Sequence, residues 1–188
     1  MSWLPAALPQ RVDVGEITFV PLTPTLLCAD YAAVMRDIPM LRQWCGQDWP
    51  TLDFSLAENL ADLERHGREQ LDGVALTYSV FCEDVLIGCV YVRRIQDALQ
   101  TRDVVLADPA LLPSGDVAVR GWAHEIEAAT LIAATLTFLQ SAPFAFPRVW
   151  WQTNVECVAQ LGACDEVGLT QQLSFGGPTT TWILASRP

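Results

Sequence analysis

The sequence predicts a single α+β (mixed α/β) domain spanning 1–188. Three observations carry that expectation. The length of 188 residues suits one shared core and falls short of two full domains. Hydrophobic residues make up 51% and charged residues 18%, the balance of a compact globular chain. The elements run β, α, α, β, β, β, α, β, α, β, β, with no internal repeat and no linker.

In chain order, Val14 to Leu22 alternates and is rich in β-branched residues, which reads as a first strand that Pro24 follows. A helix is expected from about Thr25 to Arg36. The stretch from Asp37 to Asp53 holds Pro39, Gly46 and Pro50 among Trp44 and Trp49, and reads as an ordered loop on a cleft wall. Ser55-Leu56-Ala57-Glu58 is a capping box that opens a helix over 56–71. Leu56, Leu60 and Leu63 are spaced as its buried stripe, and Asp72-Gly73 ends it. His66 reads as a solvated residue beside Arg65 and Glu69.

Leu76 to Cys82 and Val85 to Arg93 read as an antiparallel hairpin with Glu83-Asp84 at its tip, and Gly88 suggests a bulge or a close backbone approach. Residues 96–115 read as a connecting excursion. Asp116 to Trp122 makes a strand whose first residue looks like turn chemistry, and Glu125 to Gln140 makes an interior helix that is apolar almost all round. Pro147 to Asn154 is a further strand, Val155 to Glu166 a helix ending at Gly168, and Leu169 to Phe175 and Thr179 to Ala185 two last strands. The count is seven strands and four helices.

Charge narrows the function. The net charge is -11, and all 11 basic residues are Arg. Such a surface has no footprint for nucleic acid or anionic lipid and suits a cationic small molecule better than a phosphate. The N-terminus makes a poor secretory signal and the apolar run from Ala128 to Leu139 is too short to span a bilayer, so a cytoplasmic protein is expected. The six cysteines have neither a CxxC pair nor a zinc-ligand spacing with His; no metal is expected, and they read as buried reduced thiols. A nucleophile elbow, a P-loop, a dinucleotide fingerprint and an H-E-x-x-H helix are all missing. Seven Trp give apolar surface for a homodimer without marking an interface.

The segments WPTLDFSLAENLADLERH, VLIGCVYV, DVAVRGWA and RVWWQTN, the last followed by a helix and Val167-Gly168-Leu169, together resemble the GNAT superfamily of N-acetyltransferases over nearly the whole chain. VLIGCVYV is similar to that family's third strand, and Thr153-Asn154 with Gly168-Leu169 to the pair framing its last helix. The resemblance implies a mixed, mostly antiparallel sheet of about seven strands with four flanking helices, acetyl-CoA as cofactor, and acyl transfer to a small, cationic amine. Family members splay the strands equivalent to 116–122 and 147–154 and lay the pantetheine arm in the gap, with the pyrophosphate on the following helix N-terminus.

On that reading the backbone of Trp122 and Ala123 holds pantetheine, N–H groups of Glu127, Ala128 and Ala129 meet phosphate, and Glu125 or His124 is the base. Asn154 bonds a pantetheine amide or caps its helix. Trp44, Trp49, Phe54 and Trp122 line the substrate cleft or pack the core. Two departures stand out. The family's Q/R-x-x-G-x-G/A turn is replaced here by Trp122 to Ala129, without Gly or Arg and with Glu125 and Glu127. No tyrosine follows Tyr91, so the family's usual general acid has no counterpart. The alternative is a GNAT-fold ligand-binding or interaction protein that does not use coenzyme A.

Overall fold

The computed structural model describes residues 3–5, 7–100 and 115–187. One mixed, mostly antiparallel sheet has eight strands in the order β1-β2-β3-β4-β5-β6-β8-β7. These are β1 (Val12–Val14), β2 (Ile17–Pro21), β3 (Leu76–Cys82), β4 (Val85–Arg94), β5 (Val117–Ala123), β6 (Val149–Asn154), β7 (Thr170–Gly176) and β8 (Thr181–Ser186). The extra strand arises because the expected first strand is broken at Gly15, whose φ of +61° turns the chain back on itself.

Six α-helices flank the sheet among the described residues: α1 (Leu27–Arg36), α2 (Ile38–Cys45), α3 (Leu56–Leu71), α4 (Ile95–Gln100), α5 (Ala128–Gln140) and α6 (Val158–Glu166). Two of these were not expected. The breakers read as a loop over 37–53 are the two ends of α2: Pro39 occupies its first turn, and Gly46 closes it at φ +64°. The expected excursion over 96–115 begins instead as α4, and its remainder to 114 lies outside the described residues. The expected helix at 125–140 starts three residues late, since Glu125 has φ +61°, a left-handed conformation that no α-helix contains.

The helices divide between the two faces. α5 and α6 cover one side, where Ile132, Phe138 and Leu139 pack on Phe19, Tyr78, Val119 and Trp151. α1, α2 and α3 cover the other, gathering Leu41, Trp44, Leu63, Cys89 and Trp122. No helix among the described residues is long and apolar enough to cross a membrane.

The hairpin and the capping box stand where the sequence put them. Glu83 and Asp84 both take positive φ, the primed turn that matches strand twist. Ser55 Oγ accepts from Glu58 N at 3.2 Å while Glu58 Oε2 accepts from Ser55 N at 2.7 Å. Of the expected leucine stripe on α3, Leu63 is buried, Leu60 half-buried and Leu56 exposed, and Asn59 joins Leu63 on the inner face. The helix turns a polar edge inward.

At Gly88 both suggestions hold. Register shifts here, with Val80 opposite Gly88 but Phe81 opposite Leu86, and a Cβ on Gly88 would strike the Trp122 carbonyl. The bulge resets the alternation, so Leu86 and then Cys89 and Tyr91 all point to the face covered by α1–α3. Asp116, read as turn chemistry, is buried and takes the Trp150 indole N–H at 2.8 Å and Arg148 Nε at 3.2 Å. The six thiols are all free, and Cys28 is exposed rather than buried.

Candidate active site

β5 and β6 run parallel and pair at only three positions, Val117 with Val149, Ala118 with Trp150 and Val119 with Trp151. Beyond them the strands part, and α6 reaches in: Gln160 Nε2 donates to the Gly121 carbonyl at 2.8 Å and its Oε1 accepts from Trp151 Nε1 at 3.3 Å. A cleft of about 450 Å³ opens here, lined by Trp44, Trp122, Ala123, Glu127, Ala128 and Cys157.

Strand alternation decides which backbone groups face this cleft. His124 N–H donates to Ile87 O at 2.8 Å, so every second residue back along β5, Trp122 and Arg120, bonds to β4. Gly121 and Ala123 therefore present their N–H and C=O groups to the gap, as the Gln160 bond to Gly121 illustrates. Of the two residues expected to hold pantetheine by backbone, Ala123 turns its amide and carbonyl to the gap, whereas the backbone of Trp122 bonds to β4; both line the cleft.

Below the cleft, Glu127 is the N-cap of α5 and makes no side-chain cap bond, which leaves the first-turn N–H groups of Ala128 and Ala129 uncapped. Arg36, from the end of α1, pairs with Glu125 at 2.8 Å. The chain thus brings a guanidinium to a turn that has none in its own sequence. Outward-facing amides and uncapped donors are the groups a pantetheine arm ending in phosphate would need, and the Glu125 and Glu127 carboxylates at the same turn oppose it.

Other expected residues are engaged elsewhere. The His124 ring is buried, with Nε2 at 2.9 Å from the Ala33 carbonyl, and neither His124 nor Glu125 is among the residues lining the two large cavities. Asn154 is fully buried; its Nδ2 donates to the Gln43 and Trp44 carbonyls at 3.0 Å each, and its Oδ1 accepts from Glu156 N at 2.9 Å. It caps a turn and ties α2 to β6. Phe54 packs edge-on against Trp49 and beside Tyr31 in the core.

The larger cavity, about 570 Å³, lies between α1–α3 and the centre of the sheet. Trp44 lines both cavities, and Trp49 lines this one. Arg120 stacks 4.4 Å from both the Trp44 and Trp182 rings, fixing the partition. The polar edge of α3 supplies Asn59, Asp62 and His66, and β4 supplies Tyr91.

Asp30 comes from α1. Its Oδ2 accepts from Asn59 Nδ2 at 2.9 Å and its Oδ1 from the Cys89 thiol at 3.5 Å. Burial raises its carboxyl above the ordinary range and Asp62 adds to the rise, while the two donors pull it partly back. Burial and Asp30 likewise hold the Cys89 proton on sulfur. Tyr91, raised well above its ordinary value by burial, is a neutral phenol that accepts from Trp122 Nε1 at 3.3 Å.

His66, read as solvated, is nearly buried against Tyr91, with ring centroids 5.3 Å apart. Burial, reinforced by the Arg65 charge, lowers it to about 4. Since a guanidinium only donates, the 3.2 Å contact from Arg65 Nη2 makes Nε2 the acceptor and puts the proton on Nδ1, 3.1 Å from Thr77 Oγ1. Asp30 left one trace in the sequence, a single Asp among apolar residues at the i, i+3, i+4 spacing of Ala33 and Val34.

No family model matches the chain, and neither does any curated protein. Solved structures do. The RimL ribosomal L7/L12 α-N-protein acetyltransferase in complex with coenzyme A superposes with a TM-score of 0.69 at 13% identity, covering 94% of this chain and 97% of that one. Mycobacterium smegmatis RimJ in complex with CoA-disulfide gives 0.68 at 13% identity, over 90% and 80% of the two chains. The ribosomal-protein-S5-alanine acetyltransferase of Vibrio fischeri gives 0.65 at 12% identity over 94% and 95%. The chain has the GNAT fold.

Proposed function

We propose that this GNAT-fold chain is an acyl-coenzyme-A-dependent N-acetyltransferase, with the cofactor in the β5/β6 cleft and the acceptor amine in the larger cavity. The observation that carries this is Trp44: one side chain borders both spaces, so the cofactor cleft and the acceptor cavity are immediate neighbours. Acetyl-CoA, when bound, would supply an acyl thioester whose C–S bond is exchanged for a C–N bond; the acceptor ammonium gives up two protons, one ending on the released thiol and one in solvent. The Ala123 backbone would hold the pantetheine amides, and the N–H groups of Ala128 and Ala129, with Arg36, the phosphates. Trp122 and Trp44 keep water from the junction.

Two of the structural neighbours are named as enzymes acting on ribosomal proteins, one as an α-N-protein acetyltransferase and one as an alanine acetyltransferase. A polypeptide N-terminus therefore joins the small amine as a candidate acceptor. A second reading, a GNAT-fold binding protein without coenzyme A, is favoured by the Glu125 and Glu127 carboxylates beside the phosphate position. Calorimetric titration with acetyl-CoA, with free and desulfo coenzyme A as controls, separates the two. Micromolar binding is expected for the enzyme, and no heat with no thermal shift at millimolar ligand would leave the second reading standing.

A further inference from the structure

We propose that Asp30 holds the acceptor's ammonium group and that Gln152 and Trp44 donate to an oxygen on the same molecule, so that the substrate is an amine bearing a carbonyl or carboxylate oxygen rather than a bare alkylamine. This rests on the acetyltransferase reading given above. It adds the acceptor's chemistry and the residues that read it.

The cavity's charges are answered unevenly. Asp62 pairs with Arg65 at 3.2 Å, Arg93 is held at 2.8 Å by Glu69, which lies outside the cavity lining, and Arg120 is stacked on the Trp44 and Trp182 rings. Asp30 is only 4% exposed, and among the described residues no cation answers it. Its two partners, the Asn59 amide and the Cys89 thiol, are neutral. A carboxylate in low dielectric with neutral donors alone gains most from an arriving cation. Asp62 close by deepens the same negative potential.

Two further wall residues carry the complementary need. The Trp44 indole N–H and the Gln152 side-chain NH₂ are both buried without an acceptor among the described residues. Both residues line the cavity, and they are 6% and 2% exposed. A buried donor without an acceptor is destabilising, and an oxygen acceptor on the ligand removes that cost. A molecule carrying both an ammonium and such an oxygen answers both needs, and free amino acids and polypeptide N-termini are two sources of that pair. A volume of about 570 Å³ admits either.

The test uses the intact chain, acetyl-CoA and four amines: alanine, alaninamide, an alanine-headed tripeptide and isopropylamine, which lacks the oxygen. Thioester consumption should show KM for at least one oxygen-bearing amine about ten-fold or more below that of isopropylamine. Asp30→Asn should raise KM for every amine about ten-fold while leaving the acetyl-CoA dissociation constant unchanged. Trp44→Phe and Gln152→Leu should raise KM for the oxygen-bearing amines and leave that of isopropylamine in place. These two variants decide the matter if Asp30→Asn does not fold.

An unchanged amine KM in Asp30→Asn, or isopropylamine matching the other three, overturns the proposal. Preference for the tripeptide identifies a polypeptide N-terminus and preference for free alanine a small molecule; both support the shared chemistry. If the wild-type protein consumes no thioester with any amine, the acetyltransferase reading fails first. The same amines are then titrated calorimetrically without cofactor: alaninamide binding that Asp30→Asn abolishes upholds the recognition, and equal or absent binding rejects it.

Discussion

Arg36 and Glu125 stand 89 positions apart in the chain and meet at 2.8 Å beside the N-terminus of α5. The sequence of the turn suggests repulsion of phosphate, and the tertiary structure supplies the missing cation from another helix. Arg36→Ala should therefore weaken coenzyme A binding by about three- to ten-fold, with the loss greatest at low salt. Glu125→Gln should strengthen it. Calorimetry at two ionic strengths checks both, and an Arg36→Ala protein that binds as well as wild type would remove the guanidinium from the phosphate site.

His66 makes stability depend on pH in a known direction. Its folded-state value of about 4 lies below the ordinary value of 6.5, so between those limits the unfolded chain binds a proton that the folded one refuses. The stability it confers is full above pH 6.5 and is lost as pH falls toward 4. From about pH 7.5 to about pH 5 the loss should be about 2 kcal/mol. Urea unfolding of wild type and His66→Gln at both pH values is the measurement. The variant should show a flatter profile, and parallel profiles would mean that His66 protonates equally in both states.

Asn154 spends its whole carboxamide on three backbone groups, two of them carbonyls at the end of α2. Asn154→Ala should cost about 3 kcal/mol, because two buried acceptors and one donor lose their partner together. Asn154→Asp should be worse still near neutrality, since its carboxylate would face the carbonyls of Gln43 and Trp44. Denaturant unfolding at neutral and acidic pH should show the gap between the two variants closing as that carboxylate protonates.

Gly88 and Gly15 offer a paired test of two reasons for glycine. A Cβ at 88 would sit 2.6 Å from Ala123 Cα and strike the Trp122 carbonyl, so Gly88→Ala should lose more than about 3 kcal/mol or not fold. A Cβ at 15 meets nothing within 4 Å, and only its φ of +61° opposes the change, at about 1 kcal/mol. Comparable melting temperatures for the two variants would contradict the bulge assigned here.

Local chemistry was legible in the sequence and tertiary chemistry was not. Ser55 and Glu58 announce a helix start because both halves of the device lie within four residues, and Glu83-Asp84 announces its turn for the same reason. Pro39 and Gly46 misled because a breaker looks alike inside a loop and at the two ends of a short helix; only the φ of Gly46 and the first-turn place of Pro39 tell them apart. The leucines of α3 suggested a core stripe, yet the face that turns inward borders a polar cavity and carries Asn59, Asp62 and His66. The site residues were half visible. Trp44, Trp49, Trp122 and Ala123 line the two spaces, while Asp30 and Gln152 acquire meaning only when α1 and β6 border one cavity.

The short pairing of β5 with β6 also divides the protein along its sequence. Every ladder on one side of that line is built from residues 12–123, and every ladder on the other from residues 149–186. Two contiguous stretches of chain thus form two sheet segments joined by a three-pair hinge line. A molecule lying beyond that line would bridge the amino- and carboxy-terminal sheet segments, and amide exchange of residues 120–123 should slow when it binds.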